Sequence, residues 1–380
     1  MEKVCGLDVH KSSIFCCILD ENGEKILEQR FGTLTPDLLN LREVLLTHCC
    51  KYVAMESTSI YWMPIYHILE TDFDISVANP YFIRQLPGRK TDRKDAAWIA
   101  ECLQKKLFKP SFVANNILQQ MRQYSRQIER LTKNRVRFEQ QMDNQLQRCN
   151  IRFSNYVSNQ GNNVSMRKII NALIGGERDP VQLCRFVHGR TINKHGEKVI
   201  TDSLTGKVEN TDIEILIQCM EQINLITKQQ ATCLNHLEEL AEKHFAKEIS
   251  LLMTIPGIKK LSAFCILAEI GGDMSAFRKA TSLVAWAGLR PRNDETSEKI
   301  RSTKILHGNK YLRKILVQIS WATVKSKKTF LGKKFYILSK RMKTQKALIA
   351  ITRKILVVIY NVLNTKQPFD INKNLQDIIS

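Results

Sequence analysis

Residues 3–32 of the chain read KVCGLDVHKSSIFCCILDENGEKILEQRFG, and the fold of the N-terminal part follows from them. Short runs of apolar and β-branched residues are separated by turn-forming residues, a pattern typical of β-strands. It predicts three strands, at Val4 to Val9, Ser13 to Leu19 and Lys25 to Phe31. The turn sequence DENGE separates the last two strands, so the stretch is predicted to form an antiparallel meander.

Helical and strand patterns alternate after this meander. A helix, a strand, a second helix, a further strand and a third helix are predicted in turn, in the segments DLLNLREVLLTHC, YVAMES, IYWMPIYHILE, ISVANP and KTDRKDAAWIAECLQKK. Strands that alternate with helices after an initial meander predict a mixed α/β sheet of about 100 residues. The fold class expected for residues 1–110 is therefore α/β, with a sheet of the RNase H-like type.

Two long amphipathic patterns dominate the centre of the chain. Apolar residues recur at helical spacing over residues 116–153 and again over residues 212–252, which predicts two long helices that pack as a coiled-coil-like stalk. The residues between them are rich in Gly, Asn and Ser and indicate a small inserted lobe or loops rather than a second core. We assign residues 111–248 to this helical stalk and its inserted lobe.

Residues 249–380 are predicted to form a basic, all-α domain. The segment begins with TIPGIKKLSAFCILAEIGGD, in which a Pro-Gly turn precedes an apolar helix, as in a helix-hairpin-helix element. The tight turn of such an element offers backbone N–H groups to a phosphate. Lys259 stands where these hairpins usually carry a second glycine.

The charge of the chain points to a polyanionic partner. The 380 residues include 58 Lys and Arg against 37 Asp and Glu, a formal net charge of +21. Between Arg290 and Lys354 there are 19 basic residues and 3 acidic ones, so most of the excess lies in one C-terminal stretch. Such a charge favours a nucleic acid or an anionic membrane surface as the partner.

The remaining composition is that expected of an intracellular protein. The N-terminus shows no basic-then-apolar leader, and the most apolar late run, Ile355 to Leu363, is too short to span a bilayer. The 11 cysteines include no C-x-x-C pair and no Cys/His set at zinc spacing, so we expect reduced, mostly buried thiols. We therefore expect a cytoplasmic, nucleoid-associated protein that does not bind a membrane.

Four carboxylates are candidates for chemistry. Asp8 lies near the end of the first predicted strand and Glu56 at the end of the strand YVAMES, at the edge of the sheet where ligands of such folds bind. Asp92 and Asp95 are three residues apart and share one face of a helix. Taken singly, each carboxylate is explained by a turn or by a helix start, where acidic groups stabilise unpaired N–H groups. Taken together, they predict a carboxylate cluster.

A carboxylate cluster needs a counter-charge, because neighbouring carboxylates raise each other's pKa. Hard divalent cations with oxygen ligands supply that charge. Two Mg²⁺ ions about 3.5–4 Å apart stabilise both the attacking and the leaving oxygen at a phosphodiester. The cluster therefore predicts Mg²⁺-dependent phosphoryl transfer on nucleic acid.

A second candidate site lies in the polar segment NDETSEKIRSTKILHGNKYLRK, residues 293–314. Two hydroxyls, those of Thr296 and Ser297, follow acids and precede Lys299, Arg301 and Lys304. An ordinary polar loop with a helix N-cap explains this composition. The alternative is a hydroxyl nucleophile that attacks a DNA phosphate while the cations neutralise the developing charge. Composition does not choose between the two.

These motifs resemble those of a known family, the insertion-sequence transposases of the IS one-ten family, also called bridge-RNA-guided DEDD recombinases. At the N-terminus the resemblance rests on GLDVHK, MESTSIYW and KTDRKDAAWIA, in the order and spacing of the family's RuvC-like domain. At the C-terminus it rests on IPGI, AEIGG, FRKATSLVAWAGLRPRNDE and HGNKYLRKIL, which look like the family's transposase domain. The resemblance covers nearly the whole chain.

The resemblance implies a catalytic apparatus in two parts. The metal ligands that it implies are Asp8, Glu56, Asp92 and Asp95. In the family, a serine of the C-terminal domain attacks DNA and forms a phosphoserine intermediate, and the two parts of the site meet across subunits. The family serine commonly follows an acid or glutamine, and at that point this chain has Thr296, with Ser297 one place later. We favour Ser297, since its primary hydroxyl is less hindered than that of a β-branched threonine.

The resemblance also implies partners. Family members act on double-stranded DNA, and a structured RNA encoded by the element pairs with donor and target, so that sequence choice lies in base pairing. The protein would act as a homo-oligomer, from a dimer to a tetramer. For the basic residues of the C-terminal region, phosphate contact is favoured over a merely solvated surface. The nucleic-acid-binding residues predicted here are Lys259, Lys299, Arg301, Lys304, Lys310, Arg313 and Lys314.

A DNA transposase is thus the predicted function, and two other functions stay open at this point. A structure-selective nuclease would use the same four carboxylates with water as the nucleophile. It would form no covalent protein–DNA adduct and would be indifferent to changes at Thr296 and Ser297. A nucleic-acid-binding protein with a decayed site would keep every activity after Asp8→Ala.

Overall fold

The structure, a computed structural model, describes residues 2–57, 59–79, 92–157, 164–290, 294–296, 299–302, 305, 308–327 and 329–370. For residues 92–94, 294–296 and 299–302 it describes the backbone only. The chain divides into two compact units, Met1–Val113 and Ala114–Ser380. The further division of the second unit into a stalk and a C-terminal domain stays a prediction.

A five-stranded sheet forms the centre of the first unit. Its strands are β1 (Val4–Val9), β2 (Ile14–Leu19), β3 (Lys25–Phe31), β4 (Tyr52–Glu56) and β5 (Asp74–Ala78). They lie in the order β3-β2-β1-β4-β5, with β2 antiparallel to β1 and β3, and β4 parallel to β1 and β5. This mixed sheet confirms the predicted meander and the RNase H-like α/β fold.

Three helices cover the two faces of the sheet: α1 (Thr35–Thr47), α2 (Trp62–Leu69) and α3 (Asp92–Gln104). Leu41 of α1 and Ile65 of α2 share a buried cluster with Leu7 of β1. Ala100 of α3 belongs to a second cluster, together with Val4 of β1. Because side chains alternate along a strand, these clusters lie on opposite faces, with α3 alone on one of them among the described helices of this unit.

The second unit is mostly helical. Its described helices are α4 (Asn116–Arg148), α5 (Val164–Ile174), α6 (Pro180–Cys184), α7 (Gly189–His195), α8 (Glu197–Ser203), α9 (Asn210–Met253), α10 (Lys260–Ile270), α11 (Ala280–Trp286), α12 (Lys310–Val324), α13 (Phe330–Arg341) and α14 (Thr344–Thr365). A short antiparallel hairpin of β6 (Asp294–Thr296) and β7 (Lys299–Ser302) precedes α12.

The two long helices α4 and α9 pack along each other, which confirms the predicted coiled-coil pair. α4 ends at Arg148, before the predicted end at Phe153. The cause is Asn150, whose φ of 61° lies in the left-handed region that terminates helices. α9 is interrupted by a kink at Phe245, where φ is −138° and ψ is 26°.

The segment between α4 and α9 contains buried apolar residues. Phe153, Ile169 and Ile200 are fully buried there, in one cluster with Leu216 of α9. The same cluster includes residues of α4 and α9, so the expected small lobe without a second core of its own stays a prediction. α6 and α8 contribute one or two buried apolar residues each, too few to produce a periodic pattern, whereas α5 contributes four at helical spacing, Met166, Ile169, Ile170 and Leu173.

A tight turn joins α9 to α10, as predicted from TIPG. Gly257 has a φ of +91°, a conformation that only glycine adopts readily. A Cβ at this position would also lie 2.2 Å from Thr323 Oγ1 of α12. The predicted turn between two helices is therefore present, and its likeness to a helix-hairpin-helix element stays a prediction. The β6–β7 hairpin, in contrast, was predicted as a polar loop, because its charged strands carry no apolar alternation.

One helix in the described part of the chain, α14, is long and apolar enough to cross a membrane by length and composition alone. However, 61% of its most apolar window is buried inside the protein. Leu348, Ile355 and Ile359 are among the buried residues of this helix. α14 thus acts as the core helix of the second unit, against which α11, α12 and α13 pack.

The predicted burial of most cysteines is confirmed. All 11 are free thiols, and most of them are buried. Cys5 and Cys16 come closest, with 3.5 Å between their sulfur atoms, in the apolar cluster between the sheet and α1. They contribute to packing in the core of the first unit.

Candidate functional site

Asp8 and Glu56 are neighbours at the ends of two parallel strands. The register of β1 and β4 places Leu7 opposite Met55, so Asp8 and Glu56 follow at the next position of each strand. Because side chains alternate along β1, Asp8 lies on the same face as Gly6, the face that α3 covers. By the same alternation, Glu56 lies on that face of β4. The two carboxylates thus share one corner of the sheet.

α3 approaches β1 closely because Gly6 has no side chain. A Cβ at Gly6 would lie 2.2 Å from the backbone oxygen of Ala96 and 2.4 Å from the backbone nitrogen of Ala100. Asp95 immediately precedes Ala96 in this helix. The first turns of α3 therefore lie against the end of β1 that carries Asp8.

Asp8 is a buried acid with two acidic neighbours. Its residue exposure is only 8%. Burial raises the pKa of Asp8; His10 opposes this shift, and the nearby carboxylates of Asp95 and Glu56 raise the pKa further. His10 Nε2 lies 3.0 Å from Asp8 Oδ2, at hydrogen-bonding distance. A buried acid with two acidic neighbours is a site that a cation would stabilise.

Asp92 is the first residue of α3, and its side chain lies outside the described residues. Within the part of the chain whose side chains are described, no group of three or more His, Cys, Asp or Glu side chains is arranged to hold a metal ion. The structure thus brings Asp8, Glu56 and Asp95 into electrostatic contact. The full set of four ligands stays a prediction.

One of the two candidate nucleophiles, Thr296, lies on the β6–β7 hairpin. Thr296 is the last residue of β6 and pairs with Lys299, the first residue of β7. Arg301 follows in β7, and only the backbone of these three residues is described. Ser297 and Lys304 lie outside the described residues.

The predicted phosphate-binding residues have different environments. Lys259 and Lys310 are exposed, and Lys310 Nζ lies 5.2 Å from the centroid of the Tyr311 ring. Lys314 forms an ion pair of 3.0 Å with Glu129 of α4, a partner that the sequence analysis did not foresee. Arg313 is partly exposed on the same helix.

Lysines near Tyr336 of α13 and on α14 form a surface that we call the cationic face. The sequence analysis predicted only that this region is basic. Tyr336 is 48% exposed, and the ammonium groups of Lys327 and Lys340 lie 5.0 and 4.9 Å from the centroid of its ring. Burial, together with the neighbouring ammonium of Lys334, lowers the pKa of Lys354 to about 8. The sequence does carry a sign of this cationic face, because no Asp or Glu occurs between positions 298 and 370.

Comparison with known families places these two regions in one family. A model of the DEDD transposases of IS110 matches residues 5–151, which contain the carboxylates of the sheet corner and α3. A second model, described as the transposase IS116/IS110/IS902 family, matches residues 249–336, which contain the β6–β7 hairpin. The chain belongs to the IS110 family of transposases.

Individual relatives of this IS110-family chain align with parts of it. The pilin gene-inverting proteins of Moraxella bovis and Moraxella lacunata are each 35% identical to it over 128 residues, which make up 32% of this chain and 38% of the relative. The chain therefore spans less than half the length of these curated relatives. Among solved structures, T. thermophilus RuvC in complex with a Holliday junction substrate aligns with 29% of this chain and 100% of its own, at 11% identity and a TM-score of 0.23.

Proposed function

We propose that this chain is a DNA transposase that cleaves and exchanges DNA strands in a Mg²⁺-dependent reaction through a covalent hydroxyl intermediate. The observation that carries the proposal is the position of Asp8, buried at the end of β1 with Glu56 and Asp95 as acidic neighbours. Such a cluster fits divalent cations with oxygen ligands. It lies in a chain whose C-terminal region matches a transposase family.

The proposed chemistry divides between the two units. Asp8, Glu56, Asp92 and Asp95 would hold two Mg²⁺ ions, which stabilise the attacking and leaving oxygens of a phosphodiester when bound. The hydroxyl of Ser297, or of Thr296, attacks the phosphorus, and the bond to the leaving DNA oxygen breaks. The protein–phosphate ester keeps the bond energy for joining to the second strand.

The proposed partners are double-stranded DNA and a structured guide RNA. The pilin gene-inverting relatives are named for the inversion of a gene, an event that rearranges DNA. The net charge of +21 and the cationic face on α13 and α14 support contact with phosphate backbones. We propose a homo-oligomer, from a dimer to a tetramer, that acts in the cytoplasm at the nucleoid.

The test of this function is the search for a covalent adduct. The protein is incubated with Mg²⁺, the junction DNA of its element and the RNA transcribed from the non-coding end, and the products are separated on a denaturing gel. We expect a protein–DNA adduct that disappears in Ser297→Ala and persists in Thr296→Ala. Loss in Thr296→Ala alone would make threonine the nucleophile. Cleavage without an adduct would instead identify a hydrolytic nuclease, and neither product would point to a decayed site.

The cationic face gives a separate prediction on binding. Lys334 and Lys354 lie close together, and a phosphate between them would relieve their repulsion. We expect Lys354→Ala to weaken binding of a short DNA duplex about three- to tenfold and to lower the salt dependence by about one phosphate contact. Fluorescence anisotropy across a salt series measures both. Lys25→Ala, which removes an exposed lysine paired with Glu28, should change neither.

The same pair of lysines predicts a pH dependence. Since the pKa of Lys354 is lowered to about 8, its ammonium loses the proton at a pH where other lysines stay charged. Binding by the wild-type protein should therefore weaken as the pH rises through about 8. Lys354→Arg keeps its charge, so its affinity should stay constant over this range. Equal pH profiles for the two proteins would contradict the assignment.

A further inference from the structure

A buried carboxylate in the second unit connects the stalk to the segment after the β6–β7 hairpin. Glu269, in the last turn of α10, has 0% exposure, less than any other charged side chain in the described part of the chain. Burial of a carboxylate costs several kcal/mol unless the group is paired and hydrogen-bonded. The partners of Glu269 should therefore reveal what this group holds in place.

Two arginines of the stalk helix α4 supply the charge. Arg126 donates from Nε to Glu269 Oε1 at 3.1 Å and from Nη2 to Oε2 at 2.9 Å. Arg122 donates to the backbone oxygens of Ala268 and Glu269 at 2.9 and 2.6 Å. These contacts attach α10 to α4 and supply the opposite charge that a buried carboxylate requires.

Glu269 also accepts a hydrogen bond from Asn309, the residue that precedes α12. Asn309 Nδ2 donates to Glu269 Oε2 at 2.6 Å. The Oδ1 atom of Asn309 caps α12, where it accepts hydrogen bonds from the backbone N–H groups of Tyr311 and Leu312, both at 3.0 Å. Asn309 thus uses both ends of its amide. Asp would cap the helix equally well, but its ionised carboxylate cannot donate to Glu269.

The residues around Asn309 hold both ends of the hairpin segment together. Its backbone N–H donates to the oxygen of Trp286, at the end of α11, at 3.2 Å. Gly308 packs so closely that a Cβ there would lie 2.2 Å from the backbone nitrogen of Gly288. The chain therefore leaves α11 and returns to α12 at almost the same point, and the β6–β7 hairpin lies between these two positions.

We infer that Glu269 and Asn309 are positioning residues for the β6–β7 hairpin: their hydrogen bond fixes the return of the hairpin against α10 and the stalk helix α4. This inference rests on the proposed function, in which the hairpin presents a hydroxyl to DNA. A hydroxyl that attacks phosphorus must be placed within a few tenths of an ångström, and a displacement of about 1 Å costs about a hundredfold in rate. The hydrogen bond supplies such a constraint from outside the site.

The test distinguishes the hydrogen bond from Asn309 to Glu269 from the role of Asn309 as the cap of α12. Asn309→Asp keeps the cap but places a second carboxylate against Glu269, so we expect adduct formation in a single turnover to slow at least about tenfold. The double variant Glu269→Gln with Asn309→Asp removes the pair of facing carboxylates and allows a hydrogen bond of reversed direction, in which the glutamine amide donates to the aspartate. Because Arg126 Nη2 then loses its acceptor at Oε2, the variant should recover only part of the rate.

The control uses a second asparagine cap in the same unit. Asn115 caps α4 through a hydrogen bond from the N–H of Leu118 at 3.0 Å. Asn115→Asp keeps this cap in the same way and should react at the wild-type rate. DNA affinity should be equal in all four proteins, because none of the changes touches the cationic face.

Hydrogen exchange provides a readout that does not depend on catalysis. Amides of β6, β7 and the first turn of α12 should exchange faster in Asn309→Asp and return part of the way to the wild-type rate in the double variant. If the wild type forms no adduct but this exchange pattern appears, the proposed function fails and the positioning role stands. A wild-type rate of adduct formation in Asn309→Asp, or unchanged hydrogen exchange of β6 and β7 in this variant, would overturn the inference.

Discussion

Asp8→Asn should reduce Mg²⁺-dependent adduct formation by at least about a hundredfold, the loss typical when one electrostatic group is removed from an active site. Asparagine has the shape of aspartate and can still accept a hydrogen bond from His10, so the change removes charge and little else. The measurement is the single-turnover rate of adduct formation at saturating DNA. Undiminished activity would remove Asp8 from the catalytic apparatus.

Asp74→Asn is the matched control for this variant. Asp74 begins β5 at the opposite end of the same sheet, and it is exposed. The two substitutions make the same chemical change in the same fold, but only one of them lies in the acidic corner with Glu56 and Asp95. Asp74→Asn should therefore keep the wild-type rate.

Asp8→Asn should also stabilise the folded protein in the absence of metal. Burial raises the pKa of Asp8 above its unfolded value, so the folded state binds the proton more tightly. The stability gained from this proton is present at acidic pH and is lost as the pH rises through the raised pKa. Near pH 7 the wild type carries an unfavourable charge that Asp8→Asn lacks.

Thermal unfolding across pH measures this effect. We expect Asp8→Asn to melt a few degrees above the wild type near pH 7 and at the same temperature near pH 3, where the carboxyl is protonated in both states. Mg²⁺ should raise the melting temperature of the wild type and have a smaller effect on the variant. A lower melting temperature of the variant at neutral pH would contradict the electrostatic description.

Gly6→Ala should have the largest effect on stability. The new Cβ would lie 2.2 Å from the backbone oxygen of Ala96 and 2.4 Å from the backbone nitrogen of Ala100, and a backbone cannot rotate away as a flexible side chain does. Overpacking costs about 1–3 kcal/mol and more where relief is difficult, so we expect a loss of at least about 3 kcal/mol in the free energy of unfolding. Urea unfolding measures this loss.

The rate of catalysis by Gly6→Ala should also fall, even at urea concentrations at which the variant is still folded. Relief of the clash requires α3 to move away from β1, and Asp95 moves with it, away from Asp8. Gly189→Ala is the control, because a Cβ at this first residue of α7 has no atom within 4 Å. It should leave stability unchanged or raise it slightly, since alanine reduces the entropy of the unfolded chain. Equal stability of Gly6→Ala and wild type would refute the close packing of α3.

The elements of the first unit could be predicted because they depend on local patterns. Turn residues bound the apolar runs of β1, β2 and β3, so their existence and order follow from neighbours a few residues apart. The ends of α4 were less predictable, since the left-handed Asn150 interrupts an apolar pattern that continues to Phe153. The β6–β7 hairpin was missed because its strands pair through backbone hydrogen bonds, which produce no pattern of apolar residues in a polar sequence.

The candidate site was predictable as a set of residues and not as an arrangement. Asp8 and Glu56 follow apolar strands, and Asp92 and Asp95 share one face of a predicted helix. The sequence did not indicate that His10 would lie beside Asp8, nor that a glycine would bring α3 against the sheet. The roles of Thr296 and Ser297 stay predictions.

The sequence by itself determined the order of strands and helices, the basic character of the C-terminal region and the identity of the candidate carboxylates, because these depend on residue type and short-range spacing. Only the tertiary structure decided which of these groups meet. Glu269 and Asn309 are 40 positions apart and yet share a hydrogen bond of 2.6 Å. Contacts of this kind depend on how whole elements pack, and packing is set by many weak interactions that no single segment contains.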